Sequence, residues 1–130
     1  RLWDTASGEC LRVFHVHTKA VTSAAFAPDG RTALSASWDD TLRLWDIASG
    51  ECLRVFLGHT DSVTSAALAP DGQTALSAAE DNTLRLWHIV SGECLRVFQG
   101  HTGWVNSAAF APDGRTALSA SRDNTCLLYT

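Results

Sequence analysis

No apolar run in this 130-residue chain comes near the roughly 20 residues that a membrane helix needs. The opening stretch, Arg1 to Cys10, carries no signal-peptide pattern. A soluble, cytoplasmic protein without a membrane partner is the expectation. Basic residues are few: ten Lys and Arg against fourteen Asp and Glu leave a formal net charge of -4. Because those ten are spread along the whole chain, they form no electropositive stripe to neutralise phosphates, which argues against a nucleic-acid partner. No block of like charge marks a tail. No glycine-rich phosphate loop is present either, since every glycine-containing step reads as a turn, and no cofactor is expected. Methionine is absent, and the chain opens at Arg1 in the middle of a pattern, so it reads as a piece of a longer protein. Apolar residues still make up 45% of it, enough to bury a core.

What the chain has in abundance is repetition. RLWD begins at Arg1 and again at Arg43, and RLWH begins at Arg85, a period of 42 residues. The repeats span residues 1–42, 43–84 and 85–126, with the start of a fourth at 127–130. The only three prolines, Pro28, Pro70 and Pro112, all sit in APDG. Pro at the second position and Gly at the fourth is the chemistry of a type I turn, so each APDG is a predicted hairpin tip. SGE, from Ser7, Ser49 and Ser91, supplies a second tight turn. Between the turns lie short segments with apolar alternation of period 2, such as Cys52 to Phe56 and Leu42 to Trp45, which read as strands. Four such strands per repeat leave no room for a helix. A four-stranded antiparallel sheet cannot cover both its faces alone, so consecutive sheets should stack around an axis: an all-β fold, a β-propeller of three four-stranded blades per chain.

GHT, APDG, the Ser-x-x-x-Asp step and the closing LRLWD resemble the WD-repeat (tryptophan-aspartate repeat) β-propeller family over essentially the whole chain. The resemblance implies that the strand before the His is outermost in each blade and the strand after it lines the central channel. It also implies a structural hydrogen-bond relay of Trp, Ser, His and Asp. The matching sets are His17, Ser35, Asp39 and Trp45; His59, Ser77, Asp81 and Trp87; and His101, Ser119 and Asp123 with Tyr129 in the Trp position. The donor logic stands on its own, because indole N–H only donates, hydroxyl and neutral imidazole do both, and carboxylate only accepts. An enzymatic reading would make Ser77 a nucleophile, His59 its base and Asp81 the orienting group of a hydrolase. Against it, the Ser hydroxyl already has Trp and His for neighbours, and an active site has no reason to recur with the period of the fold. No catalytic residue is assigned.

Cys10, Cys52 and Cys94 recur with the repeat and Cys126 takes the place of Leu42 and Leu84, whereas metal ligands would lie two to four residues apart. They read as small apolar residues of a reducing compartment. His15 and His17 form an HVH pair, but His17 belongs to the relay, and no metal site is assigned. His88, standing where Asp46 does, reads as a turn residue.

Repeats one and two differ at ten positions, seven of them within windows 15–20 and 37–40, and repeat three varies in the same windows. Varied chemistry on a constant framework suggests a recognition rim. Family resemblance puts partner contacts at Trp38, Glu80 and Arg122, at Ala20, Ser62 and Trp104, and at Thr22, Thr64 and Asn106. Trp38 and Trp104 stand out, since large aromatics are common interface anchors. The function expected is a noncatalytic scaffold for protein recognition, with a self-assembling structural module as the alternative. Three blades are too few for a ring, so closure needs a homo-oligomer, a dimer of six blades or a trimer of nine, or missing blades of a longer array. Residues 1–4 and 127–130 claim the same strand slot in such a ring, and the off-pattern CLLYT is the one expected to yield.

Overall fold

The computed structural model describes residues 1–129. Thirteen strands follow one another: β1 (Leu2–Trp3), β2 (Cys10–Arg12), β3 (Val21–Phe26), β4 (Thr32–Ser37), β5 (Leu42–Asp46), β6 (Cys52–Phe56), β7 (Val63–Leu68), β8 (Thr74–Ala79), β9 (Leu84–His88), β10 (Cys94–Phe98), β11 (Val105–Phe110), β12 (Ala117–Ser121) and β13 (Cys126–Tyr129). No helix occurs among the described residues, hence none long and apolar enough to cross a membrane.

All pairings are antiparallel. Two blades are complete within the described residues, ordered β3-β4-β5-β6 and β7-β8-β9-β10. The third blade has β11-β12-β13, and β1-β2 is a separate two-stranded hairpin equivalent to the outer half of a blade. Each blade therefore straddles two sequence repeats: its third strand, β5, β9 or β13, begins on the last residue of one repeat and runs into the next, which in the two complete blades also supplies the fourth strand. The innermost strands β3, β7 and β11 touch in succession, placing them on the inner edge of the array.

The turns follow from their residues. In the first APDG, Gly30 N–H donates to Ala27 O, Gly30 has φ of 71°, and Asp29 Oδ1 accepts from the Arg31 amide. In the turn after β5, the Asp46 carboxylate accepts from the Ser49 amide at 2.7 Å while the Gly50 amide returns to Asp46 O. Every innermost strand carries the same β-bulge, at Thr22, Thr64 and Asn106, where the register slips by one residue.

The core lies between blades. Leu34, Ala36, Leu42, Leu44 and Phe56 of the first blade pack on Val63, Ala66, Ala75 and Trp87 of the second. Leu76, Ala78 and Leu84 meet Val105, Ala108 and Ala117 in the same way at the next junction. Equivalent residues diverge where no blade follows. Leu34 and Leu76 are fully buried but Leu118 is 51% exposed, and Val63 and Val105 are fully buried but Val21 is 54% exposed. One face of the first blade and the opposite face of the third are thus open apolar surfaces.

Candidate functional site

The relay in the first two blades runs in one direction. Trp45 Nε1–H donates to Ser35 Oγ at 2.8 Å, Ser35 Oγ lies 2.7 Å from His17 Nε2, and His17 Nδ1 lies 2.8 Å from Asp39 Oδ2. In the second blade Trp87 donates to Ser77 at 2.8 Å, Ser77 meets His59 at 2.6 Å, and His59 meets Asp81 at 2.7 Å. Because the indole can only donate, the Ser oxygen accepts there and its own proton points to Nε2. That leaves Nδ1 carrying the proton toward the carboxylate, so every donor in the chain is used. The backbone places these groups by register: Ser35 faces Arg43 and Ala33 faces Trp45 across β4-β5, which brings the indole diagonally over the hydroxyl.

The carboxylate at the end collects further donors. Asp39 accepts from the Thr41 hydroxyl and amide and from the Thr18 amide. Burial pushes its carboxyl upward, but hydrogen bonds from Thr41 and His17 and then from the Thr18 amide outweigh it and hold the group at about 2. Asp81 is held well below the ordinary carboxylate range, burial again opposing and His59 and Thr83 prevailing. Asp123 is lowered chiefly by the Thr125 hydroxyl, with burial opposing and His101 and the Thr102 amide adding to the effect.

In the third blade the relay is shorter than expected. Ser119 Oγ lies 2.7 Å from His101 Nε2, and His101 Nδ1 lies 2.7 Å from Asp123. Tyr129 does not join: its hydroxyl is buried without a hydrogen-bond partner among the described residues. It lies beside Gly100, where an added Cβ would sit 3.6 Å from it. The reason is shape, since a phenol carries its O–H at the far tip of the ring whereas an indole presents N–H at its side. Ser119 Oγ is left facing Leu127 O at 3.5 Å.

As a hydrolytic set this geometry is closed. Ser77 has no exposed surface, and its oxygen is held between Trp87 and His59. A nucleophile needs an open face for the substrate. No group of three or more His, Cys, Asp or Glu that could hold a metal ion occurs among the described residues, and Cys10, Cys52, Cys94 and Cys126 are all unbridged.

The two variable windows meet on one edge. Trp38 N–H donates to Ala20 O, Glu80 to Ser62 O and Arg122 to Trp104 O, each at 2.9 Å. Trp38 is 48% exposed, and the Arg122 guanidinium stacks over the exposed Trp104 ring at 4.3 Å. The hydroxyls of Thr22 and Thr64 are engaged inside the fold. Thr22 donates to Ala36 O of its own blade or to Val63 O of the next, at 2.6 Å for the latter, and Thr64 stands likewise between Ala78 O and Val105 O. Asn106 occupies the same bulge in the third blade and is exposed. Sequence reasoning missed this tether, because only the bulge turns the threonine toward the neighbouring blade.

The family model described as WD domain, G-beta repeat matches three times, over residues 8–46, 50–88 and 92–130. The first two matches end with the third strand of a blade, at Asp46 and His88. Among curated proteins the chain is similar to Periodic tryptophan protein 2 of Arabidopsis thaliana, 44% identical over 43 residues. That stretch is 33% of this chain and 5% of the relative's length. With three matched repeats, sheets in blade order and the Trp-Ser-His-Asp relay in two of them, the chain belongs to the WD domain, G-beta repeat family.

Proposed function

We propose that this chain is a noncatalytic scaffold that binds a protein partner through the rim formed by residues 15–20 and 37–40 and their counterparts in the other repeats. The observation that carries the reading is the backbone pairing of positions 20 and 38, 62 and 80, and 104 and 122, which unites the two variable windows on one edge. Trp38 and the Trp104–Arg122 stack are the anchors of that edge, large surfaces whose burial against a partner gives much affinity for little lost conformational freedom. Glu80 gives the middle blade a negative charge between them. The unbridged cysteines suit a reducing, cytoplasmic setting.

The test compares proteins retained by the immobilised chain with those retained by Trp38→Ala and Trp104→Ala variants. A partner held by the parent and lost by both variants, each melting within a few degrees of the parent, is the expected result. Retention of the same partner by both, or a collapse of their melting temperatures, overturns the reading.

A second reading, self-assembly, is favoured by the unequal burial of Leu34, Leu76 and Leu118 and of Val21, Val63 and Val105. An exposed apolar blade face suits contact with a blade that supplies the opposite face. Head-to-tail contact of two chains makes six blades and of three makes nine, and six lies within the usual range of propellers.

A further inference from the structure

Three contacts that recur inside the array are each left half-made at its two outer faces, and the halves match. The first is the relay. Ser119 lacks the indole donor that Ser35 and Ser77 have, and the Tyr129 hydroxyl in its place is buried without a partner among the described residues. Trp3 occupies the same repeat position as Trp45 and Trp87, is 52% exposed, and its indole N–H makes no hydrogen bond among the described residues.

The second is an arginine on the outer strands. Arg12 donates to Ala48 O and Ser49 O, and Arg54 to Ser91 O, each reaching the turn that closes the next blade. So close is the fit that a Cβ on Gly50 or Gly92 would lie 2.8 Å from the arginine's Cδ. Arg96 is the third member of this series and reaches no such turn among the described residues, while nothing lies within 4 Å of the Cβ position of Gly8, the third member of the glycine series.

The third is a space. Between the β1-β2 hairpin and the first blade lies a cavity of about 260 Å³, lined by Leu2, Phe14, Val21, Ala24, Phe26 and Trp45. Phe14 already sits against Trp45 at 5.4 Å, as Phe56 sits against Trp87 at 5.7 Å. The hairpin is therefore placed as the outer half of a blade whose inner two strands are the vacant part.

We propose that a second copy of this chain fills that space with its β11 and β12, so that the hairpin β1-β2 of one copy replaces β13 beside β12 of the other. In the register of Ala33 with Trp45 and Leu34 with Leu44, Trp3 comes opposite Ala117 and Leu2 opposite Leu118. Trp3 Nε1 then donates to Ser119 Oγ, Arg96 reaches the carbonyls of Ala6 and Ser7, and Leu118 is buried against Val21. The strand that leaves, β13, takes with it the buried, unpaired Tyr129 hydroxyl, so the exchange replaces an unsatisfied polar group by a made hydrogen bond. This rests on the self-assembly reading above and names the strand and residues that carry it.

Light scattering of the whole chain over a range of concentrations, beside its Trp3→Phe, Arg96→Ala and Tyr129→Trp variants, tests it, with circular dichroism reporting whether each variant is folded. The parent is expected at a multiple of its 14.0 kDa mass. Trp3→Phe and Arg96→Ala, both altering exposed side chains, should weaken association at least about fivefold, the worth of one hydrogen bond. Tyr129→Trp should weaken it too, because β13 then supplies its own indole to Ser119 and holds its slot. Assembly of the folded Trp3→Phe and Arg96→Ala variants as tight as the parent's overturns the exchange while leaving self-assembly standing. A parent that stays at 14.0 kDa throughout overturns both.

Discussion

Trp87 Nε1 donates to Ser77 Oγ at 2.8 Å, and that single bond fixes the direction of every proton in the relay behind it. The hydroxyl accepts from the indole, gives its proton to His59, and His59 in turn faces Asp81 with Nδ1. Trp87 also packs edge-on against Phe56 at 5.7 Å, so packing and hydrogen bonding are joined in one side chain.

The two contributions are separable by Trp87→Phe, which keeps most of the apolar ring and deletes the donor. Loss of a buried partner leaves the Ser77 oxygen short of one hydrogen bond, and unfolding free energy should fall by about 1 to 3 kcal/mol. Denaturant titration with unchanged slope would read this directly. Trp45→Phe should behave alike, and equal midpoints for parent and both variants would mean that the relay contributes through packing alone.

Val16 has φ of 133°, where the other two repeats have Gly58 and Gly100 at 155° and 154°. A β-branched residue is strained there, at a cost of about 1 to 3 kcal/mol. Val16→Gly is expected to raise the melting temperature despite the added freedom of the unfolded chain. The reverse change, Gly58→Val, should be costly, since its Cβ would meet the Arg85 guanidinium at 2.8 Å and the Trp87 ring at 3.0 Å. Opposite signs in calorimetry are the expected pattern.

Thr64→Val removes a hydroxyl placed between Ala78 O and Val105 O without changing the side chain's shape much. We expect about 1 kcal/mol of destabilisation, because one buried carbonyl loses a donor. Amide hydrogen exchange should quicken in β7 and β11, the pair it ties, more than in the outer strand β10. Unaltered exchange in β11 would show that the blades hold together without this tether.

The depressed carboxyls set an acid limit. A group whose folded value lies below its unfolded one, ordinarily about 3.9 for Asp, adds stability that is present in full above the unfolded value and disappears as pH falls through the folded one. For Asp39 that window runs from about 4 down to about 2, and for Asp81 and Asp123 it extends lower still. Unfolding free energy measured against pH should therefore decline below about pH 4, and Asp39→Asn should reduce the slope of that decline while lowering stability at neutral pH. A slope identical to the parent's would remove Asp39 from the linkage.

Much of the blade was written in the chain itself. Pro and Gly in each APDG, Ser and Gly in each SGE, and period-2 segments between them dictate turns and strands through local sterics and short-range hydrogen bonds, and the 42-residue period makes each copy repeat the last. The order of donors and acceptors in Trp, Ser, His and Asp is likewise a property of the side chains alone. What the tertiary structure decided is everything that depends on a neighbouring blade. Leu34, Leu76 and Leu118 are the same residue in the same local sequence, yet two are buried and one is exposed, because burial belongs to the face that covers them. Thr22 and Thr64 became tethers through a bulge that aims them across the junction. Tyr129 fell out of the relay because hydrogen bonding requires an atom at a point, and a phenol in an indole's slot puts its oxygen elsewhere.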